Sequence, residues 1–185
     1  AGGGDGGTGA VGVGCTETGE GFISLGTAAV YVVAADRYAP RPETMLHDFA
    51  HAIPGRWFQM AGMLNGASAL SSMLATLGEA DIEAVLETVE AAYRGPSRLL
   101  FLPYLTGERT PHNNPDARGV LFGLDAATSK ADVVQAVLEG VGFSLRDAVA
   151  CLEAADSACM APGFIGGGAR SRFWARIIAD TTGLT

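Results

Sequence analysis

Three short segments that contain glycine and polar residues constrain how this 185-residue chain can fold. They are AGGGDGGTGAVGVG at 1–14, SLGT at 24–27 and GGGARS at 166–171. Glycine permits left-handed backbone conformations and the close approach of another group. Bare backbone N–H groups at strand ends and helix starts are where proteins hold anions and nucleotides. Each segment alone is typical of a structural turn, but the three together, around the isolated carboxylate of Asp5, favour nucleotide-dependent chemistry.

The first of these segments allows two interpretations. Eight glycines in fourteen residues are typical of a flexible tail. The alternation of Ala10, Val11 and Val13 with glycine instead suggests close packing. We expect Asp5 to cap or open a short helix over about 6–14, because its charge would then face the positive end of the helix dipole.

The composition argues against several classes of protein and site. A net charge of −8 disfavours a nucleic-acid-binding surface. Lys130 is the only lysine, so a bound phosphate would depend mainly on backbone N–H groups or a metal ion. The cysteines show no C-x-x-C spacing, and His47 and His51 lie in a segment predicted to be strand or loop. Neither a disulfide framework nor a metal site is therefore predicted.

The sequence shows no sign of a membrane or secreted protein. No apolar run approaches the ~20 residues that a membrane-spanning helix needs, and no signal peptide is visible. A one-domain, cytoplasmic protein is therefore predicted. Because the chain begins inside a glycine run and ends at GLT without a terminal tail, we interpret it as a piece of a longer protein.

The pattern of apolar residues predicts a mixed α/β domain. Strands over 21–25 and 28–34 would form a hairpin that presents Gly26 and Thr27 at its tip. The residues in 103–118 form a polar loop that is too long for a mere connector. Further strands are predicted at 45–53, 57–60, 97–102 and 164–165, and helices at 65–77, 81–93, about 130–152 and about 171–182.

Two common nucleotide-binding motifs do not fit the sequence. The Walker pattern is missing, because no Gly-Lys-Ser/Thr occurs. A dinucleotide-binding fold is a weak alternative: Gly166 and Gly168 follow a predicted strand and precede a predicted helix, but the third glycine and the later ribose-binding acid are missing.

A longer motif carries a resemblance to a known family. The run FLPYLTGERTPHN at 101–113, continuing to DARG at 116–119 and FGL at 122–124, resembles the xylulokinase branch of the FGGY carbohydrate kinases. The segments VLEGVGF at 137–143 and GGGARSRFW at 166–174 are similar to that family in the same order, as are GGGD and SLGT. The resemblance covers essentially the whole chain.

This resemblance implies a fold, a domain and a reaction. The fold would be an actin-like ATPase (ribonuclease H-like) domain with a mixed sheet flanked by helices. Residues 1–185 would be the C-terminal, nucleotide-binding domain, truncated at both ends and lacking the N-terminal sugar-binding domain. The reaction would be phosphorylation of D-xylulose by ATP with Mg²⁺. Partners would be the sugar and the protein's own N-terminal domain, with a homodimer left open.

The resemblance also assigns roles residue by residue. Asp5 matches the family's catalytic aspartate, which would accept the proton of the attacking sugar hydroxyl. Gly26 and Thr27 match the hairpin that contacts the ATP phosphates. The other matching positions would border the nucleotide: Gly66 and Ala67 at a helix start, Gly167, Gly168 and Ala169 in a turn, and Arg172 beside the base.

The chain departs from the family pattern in two places. Relatives commonly have Asn after the aspartate and Ser after SLGT, where this chain has Gly6 and Ala28. The larger difference is the missing N-terminal domain, which in the family supplies a second phosphate hairpin, a second Asp near magnesium and most sugar contacts. We therefore expect the isolated chain to have no kinase activity.

Several other polar or aromatic residues receive structural interpretations. Arg109 and His112 are expected to brace the long loop, Glu139 to be a buried structural partner, and Trp174 to belong to the core. Glu108 has no assignable role. Two alternatives to a D-xylulose kinase stay open, namely a kinase of the same family for another ketose or polyol and a non-catalytic, actin-like nucleotide-binding regulator.

Overall fold

The computed structural model describes residues 4–185, so Gly2 and Gly3 of the first glycine segment lie outside the described residues. The described strands are β1 (Gly21–Leu25), β2 (Ala29–Ala35), β3 (His47–Ala50), β4 (Trp57–Met63), β5 (Leu100–Leu102), β6 (Val120–Phe122) and β7 (Gly163–Ile165). The α-helices are α1 (Asp5–Gly12), α2 (Ala67–Thr76), α3 (Ile82–Ala92), α4 (Lys130–Ala154) and α5 (Arg172–Thr182).

A mixed sheet of five strands organises the domain, in the order β3-β4-β2-β1-β7. Strand β1 pairs antiparallel with β2 and parallel with β7. Strand β4 pairs antiparallel with both β2 and β3. Strands β5 and β6 form a separate antiparallel ribbon. The predicted mixed sheet flanked by helices is confirmed.

The two faces of this sheet are covered by different helices. Alternate strand residues, among them Leu25, Tyr31 and Met63, pack in the main core with residues of the four helices α2, α3, α4 and α5. The intervening residues, among them Phe22, Val32 and Phe58, pack with Ala10 of α1 in a second, smaller core. Because successive strand side chains point to opposite faces, α1 lies on one face of the sheet and the other helices lie on the opposite face.

The longest helix, α4, forms the centre of the main core. Its predicted capping box is present: the Ser129 hydroxyl accepts from the Asp132 N–H at 3.2 Å, and the Asp132 carboxylate accepts from the Ser129 N–H at 2.8 Å. Val133, Val137 and Leu145 of the predicted apolar stripe are all buried. The capping box and the stripe together explain why the helix starts and packs where the sequence predicts.

The structure decides or departs from the sequence predictions at three places. Of the two expected roles of Asp5 in α1, the structure shows that Asp5 opens the helix, because Gly4 is the N-cap. The predicted strand at 97–102 forms only at its end, because the N–H groups of Ser97 and Leu99 donate to side chains instead of a neighbouring strand. Strand β6 was not predicted at all.

Gly140 allows α4 to pack closely against β5, and Gly140→Ala is expected to lower the melting temperature. A Cβ at this position would overlap the carbonyl oxygen of Phe101. Overpacking costs about 1–3 kcal/mol, which outweighs the roughly 1 kcal/mol that alanine gains over glycine in a helix. Thermal unfolding measures the effect.

Gly9→Ala in α1 is the matched control for this prediction. A Cβ at Gly9 would meet nothing within 4 Å, so this variant should keep or raise the melting temperature. An unchanged or raised melting temperature for Gly140→Ala would contradict the close contact between α4 and β5.

Among the helices of residues 4–185, none combines the length and apolar character needed to cross a bilayer.

Candidate nucleotide site

The tip of the β1–β2 hairpin is fixed against the start of α2. The N–H of Gly66 donates to the Thr27 carbonyl at 2.8 Å, and the N–H of Ala67 donates to the Gly26 carbonyl at 2.7 Å. The Ser68 hydroxyl also donates to the Thr27 carbonyl, at 2.7 Å. The predicted neighbours Gly26, Thr27, Gly66 and Ala67 are therefore brought together.

These bonds also define which backbone groups a ligand can use. The N–H groups of Gly66 and Ala67 are occupied by the hairpin, so these two residues can border a ligand but cannot donate those N–H groups to it. Within residues 4–185, the N–H groups of Gly26, Thr27 and Ala28 donate to no protein acceptor. Successive free N–H groups in a turn favour an anion.

The third glycine-rich segment lies beside the same hairpin. Strand β7 pairs with β1 so that Ile165 is opposite Ser24. Gly166 follows with φ of 94°, and a Cβ there would lie 2.6 Å from the Leu25 carbonyl oxygen. A Cβ at Gly168 would overlap the Leu25 side chain. Only glycine therefore lets this segment approach the end of β1 so closely.

A cavity of about 560 Å³ opens next to this junction, between α2, α3 and the start of α5. Four predicted site residues line it: Ala67, Gly167, Gly168 and Arg172. The other predicted residues do not line it but adjoin lining residues: Gly26 bonds to Ala67, Gly66 precedes Ala67 and bonds to Thr27, and Ala169 lies in the 3₁₀ turn Gly167–Arg170. The volume is in the range of cavities that hold small-molecule ligands.

The walls of this cavity carry opposite charges. Glu83, Glu87 and Glu90 line it from α3, and Arg170 and Arg172 line it from the opposite side. The acidic wall repels phosphate groups by simple Coulomb interaction. An anionic group in the cavity is therefore favoured on the side away from α3.

Asp5 lies elsewhere, on the sheet face that α1 covers. It is exposed in the first turn of α1. A Cβ at Gly6 would be 3.0 Å from the Phe58 ring, and one at Gly7 would be 3.2 Å from the Ala52 nitrogen, so the start of α1 packs against the β3–β4 hairpin. Asp5 does not line the cavity, and its catalytic role stays a prediction.

The long loop at 103–118 anchors the segment that leads into α2. One carboxylate oxygen of Glu108 accepts from the Leu64 N–H at 2.8 Å and from the Arg109 N–H at 2.7 Å. The Asn65 side chain donates to the Gly107 carbonyl at 3.1 Å and accepts from the Thr106 hydroxyl at 3.1 Å. The loop therefore holds residues 64 and 65, directly before Gly66.

Glu108 is the residue that the sequence interpretation missed. It is only 2% exposed, and burial raises the pKa of its carboxyl group. Its second oxygen, Oε2, is buried without a hydrogen-bond partner. No local sequence pattern predicts this buried hydrogen-bonding role of Glu108, because Leu64, whose N–H donates to it, is 44 residues away in the chain.

The structural interpretations of the remaining polar and aromatic residues agree with their contacts. Arg109 lies 3.4 Å from the His47 ring nitrogen and His112 lies 3.0 Å from the Tyr104 hydroxyl, so both brace the loop. The carboxylate of Glu139 accepts from the Ser97 N–H at 3.0 and 3.1 Å. Trp174 is buried and its indole N–H donates to the Leu138 carbonyl.

The described part of the chain offers no ready-made metal centre. Within residues 4–185, no group of three or more His, Cys, Asp or Glu side chains is arranged to hold a metal ion.

Comparison with solved structures identifies the class of protein. A kinase from Brucella ovis superposes with a TM-score of 0.91 at 37% sequence identity, over 95% of this chain and 36% of that one. The xylulose kinase of Bifidobacterium adolescentis superposes with a TM-score of 0.85 at 28% identity, over 99% of this chain and 36% of that one. The fold is that of the actin-like ATPases, as found in sugar kinases, which confirms the predicted fold class.

The family follows from the sequence comparison. Residues 21–185 match the C-terminal domain of the FGGY family of carbohydrate kinases. This chain belongs to that family, as the resemblance predicted. The xylulose kinase of Escherichia coli (strain K12) is 42% identical over 183 residues, which are 99% of this chain and 38% of that relative. The chain thus spans less than half the length of the relatives it matches.

Proposed function

We propose that this chain is the C-terminal, nucleotide-binding domain of a two-domain kinase that transfers the γ-phosphoryl group of ATP to D-xylulose. The observation that carries the proposal is the 42% identity to a xylulose kinase over 99% of this chain. The product would be D-xylulose 5-phosphate. The N-terminal domain, which supplies most of the sugar contacts, would be the partner of this domain.

The geometry of the cavity supports one orientation for ATP. Adenosine would lie between α2, α3 and α5, where Gly167 and Gly168 leave room and Arg172 flanks the base. The phosphates would extend towards the free N–H groups of Gly26 and Thr27. The acidic wall of α3 disfavours the reverse orientation, because it would place carboxylates beside the triphosphate.

Asp5 would act as the general base of the transfer. The sugar hydroxyl oxygen attacks the γ-phosphorus, the bond from that phosphorus to the β–γ bridging oxygen breaks, and Asp5 takes the hydroxyl proton as ADP leaves. Phosphoryl transfer depends mainly on positioning and on charge neutralisation, so one well-placed carboxylate is enough for the proton. Asp5 is exposed, as a group that meets a substrate held by another domain must be.

Mg²⁺ would accompany the bound ATP. Mg²⁺ commonly binds substrate phosphates together with one or two carboxylates and several waters. The ion would be held by the phosphate oxygens and by groups of the N-terminal domain, which in the family supplies an Asp near magnesium.

The nearest alternative keeps the mechanism and changes the sugar. The gluconokinase of Bacillus subtilis (strain 168) is 29% identical to this chain over 183 residues, which are 92% of this chain. The nucleotide-binding domain is therefore shared by relatives that differ in sugar. A non-catalytic nucleotide-binding regulator is the alternative from another class, and it would not need the carboxylate of Asp5.

A coupled ADP-release assay on the complete kinase tests the proposal. It would contain ATP, Mg²⁺ and one sugar at a time: D-xylulose, other pentuloses, hexuloses, gluconate or glycerol. We expect turnover with D-xylulose to exceed turnover with the other sugars. We also expect the isolated 185-residue chain to show no sugar-dependent turnover.

The other outcomes separate the alternatives. Preferred turnover of a different sugar would contradict D-xylulose as the substrate and retain the kinase. ATP binding without turnover of any sugar would contradict the kinase and favour the regulator. Turnover by the isolated chain would contradict the need for the N-terminal domain.

A further inference from the structure

We propose that Glu108 is a positioning residue for the ATP phosphates, acting through the start of α2 on the tip of the β1–β2 hairpin. This inference rests on the proposed nucleotide site and adds a residue to it. Glu108 does not line the nucleotide cavity. Its effect on ATP would come entirely through the chain of hydrogen bonds that joins it to Gly26 and Thr27.

The first link joins the long loop to the end of β4. Glu108 is buried, and its Oε1 accepts from the Leu64 N–H at 2.8 Å. Strand β4 ends at Met63, so Leu64 is the first residue beyond it. Beyond this point the sheet no longer fixes the backbone of residues 64 and 65, and Glu108 and its neighbours fix it instead. Asn65 is held by Gly107 and Thr106 in the same way.

The second link joins residues 64 and 65 to the hairpin tip. Gly66 and Ala67 follow at once and donate their N–H groups to the Thr27 and Gly26 carbonyls. A Cβ at Gly66 would lie 2.7 Å from the Ala28 backbone, so this contact leaves no room for a shift of the helix start towards the tip. A displacement of Leu64 would therefore move the groups that hold the carbonyls of the phosphate-binding turn.

The chemistry of Glu108 fits this task better than a role in packing alone. A hydrogen bond from a backbone N–H to a carboxylate is stronger than one between neutral groups. Loss of the acceptor would leave the part-buried Leu64 N–H without its partner, which is unfavourable. The backbone would rearrange to reduce that cost, and the adjacent Gly66–Ala67 pair would move with it.

Glu139 provides a matched control in the same domain. It is also a buried carboxylate, and it accepts from the backbone N–H of Ser97 at 3.0 Å. Ser97 lies between α3 and β5, and its hydrogen bonds do not connect it to the hairpin tip or to α2. Loss of Glu139 should therefore reduce stability without moving the hairpin tip.

The test is a comparison of two dissociation constants in the complete kinase. Calorimetry would measure the Kd of ATP and the Kd of D-xylulose for wild type, Glu108→Ala, Glu108→Gln and Glu139→Ala, together with their melting temperatures. For Glu108→Ala we expect the Kd of ATP to rise about tenfold or more, equivalent to about 1.4 kcal/mol, with the Kd of D-xylulose within about twofold. Glu108→Gln should largely restore ATP affinity, because an amide oxygen can accept the same N–H groups.

The results that would overturn the inference are equally specific. An unchanged Kd of ATP in Glu108→Ala, an equal rise in both dissociation constants, or an equal rise in Glu139→Ala would each show that Glu108 has only a structural role. If Glu108→Ala fails to fold, Glu108→Asp takes its place. Aspartate keeps the charge, but its shorter side chain moves the carboxylate oxygen away from the Leu64 N–H. We then expect a smaller rise in the Kd of ATP and no change in the Kd of D-xylulose. If the wild-type protein binds ATP but phosphorylates no sugar, the proposed function is contradicted. The effect of Glu108 on the Kd of ATP can still be measured, because the experiment measures binding directly.

Discussion

Replacing Asp5 by asparagine in the complete kinase is expected to lower kcat by roughly 10²–10⁴-fold, the usual contribution of a general base. Asparagine keeps the shape of the side chain but cannot accept the proton of the attacking hydroxyl. The folded structure should tolerate the change, because the Asp5 side chain is exposed and does not cap α1. Steady-state kinetics with D-xylulose measures kcat, and calorimetry should show ATP affinity within about twofold of wild type.

Asp180→Asn is the matched control for this prediction. Asp180 is an exposed carboxylate on α5, on the other face of the sheet from α1, and its replacement should leave kcat unchanged. If Asp5→Asn retains the kcat of wild type, Asp5 is not the base. If Asp5→Asn loses ATP binding as well as turnover, the loss of activity is not explained by the loss of the general base alone.

Gly66→Ala should produce the second largest effect, on ATP binding rather than on chemistry. A Cβ at Gly66 would lie 2.7 Å from the backbone of Ala28 and 2.8 Å from the Gly26 carbonyl oxygen. These neighbours are backbone atoms, so the hairpin tip itself must move away from α2. Overpacking of about 1–3 kcal/mol would then correspond to a rise in the Kd of ATP of roughly fivefold to 150-fold.

Gly167→Ala separates movement of the hairpin from direct contact with the nucleotide. Gly167 lines the same cavity, but a Cβ there would meet no protein atom within 4 Å. We therefore expect a smaller rise in the Kd of ATP for Gly167→Ala than for Gly66→Ala. Equal rises in both variants would show that Gly66 does not act through the hairpin.

The elements with strong local patterns could be predicted from the sequence. Strand β1 and the hairpin to β2 follow from two β-rich runs joined at Gly26 and Thr27, and the structure pairs them as expected. Helix α4 follows from the capping box at Ser129 and from its apolar stripe. In both cases neighbouring residues supply the determining contacts.

The features that the sequence interpretation missed depend on distant contacts. Strand β6 is a three-residue segment that exists only because it pairs with β5. The carboxylate of Glu108 bonds to Leu64, 44 residues away. The family resemblance placed Gly26, Gly66 and Gly168 at one site, but the glycine pattern alone did not predict their contacts with the β1–β2 hairpin. The glycine pattern likewise did not reveal that Asp5 lies on the opposite face of the sheet from the cavity.

The most direct test of this account is a crystal structure of the complete kinase with a non-hydrolysable ATP analogue. We expect the base between α2, α3 and α5, within the cavity of about 560 Å³, and the phosphates against the N–H groups of Gly26, Thr27 and Ala28. Binding of the analogue outside this cavity, or with its phosphates beside Glu83 and Glu87 of α3, would contradict the proposed nucleotide site.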